Sequence, residues 1–454
     1  MLNSFCIAYL QGAIDRFRSS LFSLFPPIII SCDLLVYAFF FYANLPCYWA
    51  LTSNFFSTRA GALIFTGYAT PFAAQPASIR EAILKSWAAA KLPVFRGLFL
   101  SLAGLMKQVW LRTSPTVNEV LSIPRIPVHG VAGQSFPFEF IQLPSTPDDD
   151  KPEVIETDVV IIGSGCGGGV AAKNLAEAGH KVLVVEERYH WPATYMPFTE
   201  KDGNETLFMN NGSIMSDDNN ALIIAGASWG GGGTVNWSAS LQPQHYVREE
   251  WAAQGLSFFT SPAFQRSLDR VCERMGVSAD HIEHNKTNRL LLEGGRKLGW
   301  TVKPVPQNTG GKKHYCGTCT LGCHACEKQG PVVSWLPDAA RAGAKFIEGF
   351  RAQKIVFEKG RGEKLATGVE GIWTSRDEQG GVSGVRRQKK VFIKAKKVIV
   401  SCGSLQSPLL LRRSGLKNSH IGNNLKIHPV SFCGAIFDEE VRPWEGKSYL
   451  SPLS

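Results

Sequence analysis

The sequence predicts an α/β protein organised round a parallel sheet, and three glycine-bearing stretches carry that prediction. The first begins at Val159-Val160-Ile161-Ile162, an uninterrupted β-branched run of the kind a parallel strand covered on both faces requires. It passes into Gly163-Ser164-Gly165-Cys166-Gly167-Gly168 and then an alanine-rich helix over about residues 169–178. Gly179 stops that helix, and residues 181–185 read as the next strand, ending at Glu186. The second stretch, Ala225 to Asn236, places Gly226 and Gly230 to Gly233 beside Trp229, Val235 and Trp237, which are poor linker residues. The third, Val398-Ile399-Val400-Ser401-Cys402-Gly403-Ser404, again reads as strand into tight turn, with a helix over 409–413 before Ser414-Gly415.

Length and composition set the bounds. A chain of 454 residues has room for about three domains at roughly 150 residues each. With 44% hydrophobic and 19% charged residues it can bury a sizeable core, which excludes a mostly disordered chain, a collagen-like repeat and a small disulfide scaffold. The net charge of +10 favours anionic partners, but no dense basic arm stands apart, so nucleic acid is not indicated. Eleven cysteines, four of them clustered, fit a reducing compartment better than a secreted one.

Residues 1–112 read as an apolar helical region. Within it, Leu34 to Thr58 is a 25-residue run without a charge, long enough to span a bilayer with tilt but interrupted by Pro46. Membrane association, intracellular, is the expectation. Ser78 and Glu81 have capping-box spacing, and Ile79, Ile83, Trp87 and Ala90 follow at helical period until Pro93. A second helix is expected over 94–112. Residues 113–153, with seven prolines and Asp148 to Asp150, read as a linker, and residues 154–454 carry the motifs above.

Each part of the first motif has a physical task. Gly163 permits a sharp turn, Gly165 lets backbone approach a pyrophosphate, and Gly168 lets helix and strand pack closely. The helix N-terminus presents N–H groups and a positive dipole end to phosphate. Glu186, 23 residues after Gly163, can accept from a ribose diol and would repel a 2′-phosphate. This is a dinucleotide site, for FAD or NAD and not NADP. The second stretch lets main chain pass close to a flat or charged ligand.

Taken together, these motifs resemble the glucose–methanol–choline oxidoreductases, and within them the membrane-associated long-chain fatty alcohol oxidases. The sub-family likeness rests on Cys316-Gly317-Thr318-Cys319-Thr320-Leu321-Gly322-Cys323 leading to Lys328, on Ile421 to Leu425 before His428-Pro429-Val430, and on Phe56 to Gly61. It covers roughly residues 55–450. The resemblance implies a Rossmann-type FAD-binding domain interrupted by an α+β substrate domain. It implies that Gly163, Gly165, Gly168 and Glu186 hold the ADP half. It places Gly232, Gly233, Thr234 and Asn236 along the pyrophosphate and flavin, Ala352 near adenine, and Gly403 and Ser404 where they help close the site. The implied chemistry is hydride transfer from a long-chain primary alcohol to the flavin, with O2 as acceptor, giving an aldehyde and H2O2.

Other readings stay open. In the family a catalytic His with a His or Asn partner lies in a C-terminal segment that no residue here matches. The expectation is therefore a C-terminally truncated chain, with His428 as the candidate substitute. A His before Pro more often shapes a loop. The alternatives are a catalytically dead FAD-fold fragment or an iron–sulfur electron-transfer flavoprotein. The latter would use Cys316, Cys319, Cys323 and Cys326, whose spacing can supply four thiolates to one ion. Ligands packed into eleven residues leave little room for a tetrahedral shell, and no metal is expected. The basic stretch from Arg386 to Lys397, in which Val391, Phe392 and Ile393 alternate with lysines, reads as strands with a solvated face.

Overall fold

A computed structural model describes residues 58–92, 131–144, 151–216, 221–314, 317–359, 364–428 and 437–439, with isolated residues between 95 and 119, Val430, Val441 and 450–452. The uncharged run from Leu34 lies outside these residues up to Thr58, as does most of the helix expected over 94–112. Among the described residues no helix is long and apolar enough to cross a membrane. The chain divides into two compact units, one of residues 1–115 with 215–223 and one of 116–214 with 224–454.

In the first unit, helix α1 (Arg59–Thr66) starts at Thr58, whose hydroxyl accepts from the Gly61 N–H at 3.1 Å, and stops at Gly67, whose φ of 77° no β-carbon obstructs. Helix α2 (Ala77–Ala88) buries Ile83 and Trp87, the face its period predicts. Trp87 stacks on Phe72 and donates its indole N–H to the Phe65 carbonyl at 2.9 Å. The expected capping box does not form. The helix begins on Pro76, and Ser78 falls inside the first turn, where its side chain no longer occupies the cap.

The second unit is built on six strands. Strand β1 (Glu153–Ile162) leads through a turn to α3 (Cys166–Glu177) and β2 (Val182–Val185). A short helix α4 (Gly232–Val235), then α5 (Trp335–Arg341), precede β3 (Lys345–Ile347). Strands β4 (Phe350–Lys359), β5 (Lys364–Thr374) and β6 (Gln388–Val400) follow, and α6 (Gly403–Arg413) comes after the sheet. The order across the sheet is β3-β2-β1-β6-β5-β4. The first four strands run parallel, while β5 is antiparallel to both β6 and β4.

Alternate residues of the central strands go to opposite layers. Val159, Ile161, Val182 and Val184 pack with Ala172 and Ala176 of α3 and Leu336 and Ala339 of α5. Val160, Ile162, Leu183 and Val185 pack with Val369, Trp373 and Leu410 on the other face. Covering both faces is why this segment reads as a continuous apolar run, and each such side chain contributes about 1.5–3 kcal/mol by leaving water. Strand β1 is longer than its apolar run because residues 153–157 pair with β6 alone, beyond the end of β2. There only alternate side chains are covered, so the sequence signal fades.

The basic stretch is strand β6. Val391, Ile393 and Ala395 point inward, while Lys394 and Lys396 pair with Glu156 at 3.0 Å and Asp158 at 2.7 Å. The proline-rich stretch also enters the core. Phe138 and Phe140 pack on Trp229 and Phe346, and Ile141 donates its N–H to the Phe346 carbonyl at 2.9 Å.

Candidate functional site

The carboxyl ends of β1, β2 and β6 come together, and the chain leaves each through a residue singled out by sequence. Gly163 follows β1 with a φ of 104°, and a β-carbon there would run into the Ser401 carbonyl. One at Gly168 would run into the carbonyl of Gly163. The turn can therefore close on itself only without side chains at these two positions. Gly165 caps α3 with no side-chain hydrogen bond, which leaves the start of a 12-residue helix for an anion.

The second glycine run meets the first. Gly231 has a φ of 55°, and a β-carbon there would lie 3.0 Å from the Gly165 Cα. Gly232 has open space where a side chain would stand, whereas one at Gly233 would run into the ring of Pro331. Thr234 does not offer its hydroxyl to a ligand: it donates to the Trp229 carbonyl at 2.7 Å and closes the turn from within. Asn236 ends α4, and its buried Oδ1 has no hydrogen-bond partner among the described residues. A buried acceptor left unbonded costs free energy that a ligand donor can recover.

Glu186 stands where β2 ends. Its Oε2 accepts from the Ser164 N–H at 3.0 Å and hydroxyl at 2.7 Å, and its Oε1 from the Arg188 N–H at 3.1 Å. Burial pushes its carboxyl above the usual range, and the Ser164 bonds oppose that rise. Ser164, absent from the sequence-derived set, joins the two glycine runs, because its oxygen also accepts from the Gly230 N–H at 2.9 Å. Its only sequence signal is a small polar residue inside a glycine turn. Ala352 lies two residues after Phe350, whose N–H donates to the Glu186 carbonyl at 2.8 Å. Gly403 and Ser404 open α6 just after Ser401, whose N–H donates to the Ile162 carbonyl at 2.8 Å. His428 lies exposed on the surface in the tail that follows α6.

Lys328 enters the sequence reading at the end of the cysteine motif. It is 2% exposed and donates to the carbonyls of Thr234 at 2.7 Å, Asn236 at 2.7 Å and Cys319 at 3.1 Å. It thus pulls the carbonyl side of the second run inward. A cavity of about 330 Å³ lies beside it, lined by Phe136, His190, Trp191, Cys323, Cys326 and Gly233 among others. Burial and the Arg376 charge hold His190 down to about 4, so it is neutral at pH 7. Arg376 fixes the same loop by a bidentate pair with buried Glu348 at 2.6 and 2.8 Å and by a bond to the His190 carbonyl at 2.6 Å. Cys319, Cys323 and Cys326 are thiols, and Cys316 lies outside the described residues. Among the described residues no group of His, Cys, Asp or Glu is arranged to hold a metal.

The crevice fits an adenine dinucleotide with a further flat group. It offers an uncapped helix start, two side-chain-free turns in contact, a carboxylate for ribose hydroxyls and an unbonded amide oxygen beyond them. Comparison with known proteins agrees. An FAD binding domain model matches residues 158–191 and a GMC oxidoreductase model matches residues 204–430. Long-chain-alcohol oxidase FAO4A of Arabidopsis thaliana is 37% identical over 300 residues, 65% of this chain and 39% of that protein. Long-chain-alcohol oxidase FAO1 of the same plant is 38% identical, again over 65% of this chain and 39% of that protein. An uncharacterized GMC-type oxidoreductase of Mycobacterium tuberculosis, Rv0492c, is 32% identical over 65% of this chain and 45% of its own length. The chain thus spans less than half the length of each of these relatives. A family model over half of its residues and a crevice shaped for FAD lead to one conclusion: the chain belongs to the GMC oxidoreductases.

Proposed function

We propose that the chain is the FAD-binding part of an oxidoreductase that converts long-chain primary alcohols to aldehydes, with O2 as acceptor and H2O2 as second product. The observation that carries this reading is the meeting of the Gly163–Gly168 turn with the Gly230–Gly233 run at the carboxyl ends of parallel strands. The likeness to alcohol oxidases supplies the substrate class. When bound, the flavin supplies a hydride acceptor.

The chain's own residues bind and orient. The α3 N-terminus stabilises the diphosphate, Glu186 accepts from ribose hydroxyls, and Asn236 Oδ1 is an acceptor for a ligand N–H or O–H. Lys328 and Thr234 hold the second run rigid, so that it need not be ordered on binding. Trp229, 1% exposed, seals its base from water. What supports lipid contact for the N-terminal region is the uncharged run from Leu34, which suits a substrate dissolved in a bilayer.

The test uses the full-length oxidoreductase of which this chain is the FAD-binding part, purified with FAD bound. Anaerobic addition of a saturated long-chain primary alcohol should bleach the oxidised flavin, and readmitted air should restore it with H2O2. Bleaching by a sugar or a secondary alcohol at equal rate would overturn the substrate class. Protein that refuses FAD would overturn the whole reading.

A further inference from the structure

Outside the cofactor crevice, Glu327, His314 and Cys319 form a continuous hydrogen-bonded chain. The Glu327 Oε2 lies 2.7 Å from His314 Nδ1, and His314 Nε2 lies 3.0 Å from Cys319 Sγ. His314 is 5% exposed and Cys319 7%. A carboxylate on Nδ1 holds that nitrogen as the donor and leaves Nε2 as the acceptor facing sulfur. That is the order of groups that activates a thiol: nucleophile, base, orienting acid. Among the described residues no imidazole is bonded to Cys166, Cys326 or Cys402, and burial pushes all three upward.

The position of Cys319 gives this chain of groups something to sense. Its carbonyl accepts from Lys328, which also holds Thr234 and Asn236 of the second glycine run. Lys328 in turn lines the cavity of about 330 Å³, whose wall also carries Cys323 and Cys326.

We propose that Cys319 is a modification site for hydrogen peroxide, oxidised to a sulfenic acid with His314 as base and Glu327 as the positioning residue. The sulfur attacks one peroxide oxygen, and an S–O bond forms as the O–O bond breaks. His314 takes the thiol proton and returns it to the departing hydroxide, which leaves as water. Sulfur is oxidised and peroxide reduced, with no further reactant. The alcohol-oxidase reading enters only as a source of peroxide.

The experiment adds peroxide directly to flavin-loaded protein without alcohol, traps sulfenic acid with dimedone and reads each cysteine by peptide mass spectrometry. Failure here is therefore distinguishable from failure of the alcohol reading. The expected result is an adduct on Cys319 that forms at least about a hundredfold faster than in His314→Asn. Glu327→Gln should slow it by about tenfold, and Cys319→Ser should show none at that position. Retained FAD and an unchanged circular dichroism spectrum qualify each variant. If His314→Asn fails to fold, Glu327→Gln carries the comparison. Labelling of Cys319 no faster than of Cys166 would overturn the proposal. So would wild-type rates in both relay variants, or stoichiometric zinc or iron bound through Cys319 in the purified protein.

Discussion

The turn at Gly163–Gly168 and the run at Gly230–Gly233 bring main chain to the same crevice by different means. In the first, glycine is required by neighbouring backbone: the carbonyls of Ser401 and Gly163 occupy the places of missing β-carbons. The turn is held by the sheet itself, through Gly163 N–H to the Val185 carbonyl at 2.8 Å. In the second, the run lies outside the sheet and is held by side chains, Thr234 from within and Lys328 from behind. A β-carbon at Gly232 would meet no atom within 4 Å among the described residues. The difference teaches that a glycine can be retained for the fold or for the ligand, and that only the space around it tells which.

The sharpest break is Gly168→Ala. A β-carbon against backbone cannot be relieved by a rotamer change, so we expect a loss above about 4 kcal/mol in thermal unfolding and no retained FAD. A variant that melts like the parent would refute the backbone contact. Lys328→Met should cost about 3 kcal/mol, since three buried carbonyls lose their donor, with FAD affinity falling in fluorescence titration. Unchanged affinity would mean that the second run stands without its lysine.

The His190 loop tests the surroundings of the second run by pH. Its imidazole titrates near 4 in the folded chain and near 6.5 when unfolded, so the unfolded state binds the extra proton between those values. Stability is full above about pH 6.5 and falls by about 3 kcal/mol as pH drops toward 4. Chemical denaturation across that window, with His190→Phe as the reference, should show this contribution to the slope lost in the variant. Ser164→Ala removes the hydroxyl joining the two runs and should cost about 1–2 kcal/mol, with weaker FAD binding. The smallest effect on stability belongs to Gly232→Ala, within about 0.5 kcal/mol. If Gly232 faces the ligand, its FAD affinity should nonetheless fall about tenfold; parent affinity would place the ligand elsewhere.

Much of this was legible in the chain. The run Val159–Ile162 and the spacing to Glu186 predicted strand, turn, helix and strand because a doubly covered parallel strand needs apolar residues at every position. The lysine alternation of β6 was legible for the complementary reason, one face wet and one dry. The start of α2 was misplaced because a capping box is a local pattern, and Pro76 satisfied the same helix start two residues earlier. The role of Ser164 was hidden because its partners Glu186 and Gly230 lie 22 and 66 residues away.

By itself, then, the order of residues determined that the segments ending at Ile162, Val185 and Val400 are strands, where backbone must be bare and which acid ends the second strand. Those properties follow from periodicity and from the steric demands of neighbouring residues. Only the tertiary structure decided that the two glycine runs touch, that Lys328 binds carbonyls in place of a carboxylate, and that Glu327, His314 and Cys319 align. Each of these depends on bonds a few ångströms long between elements whose separation the chain does not encode locally.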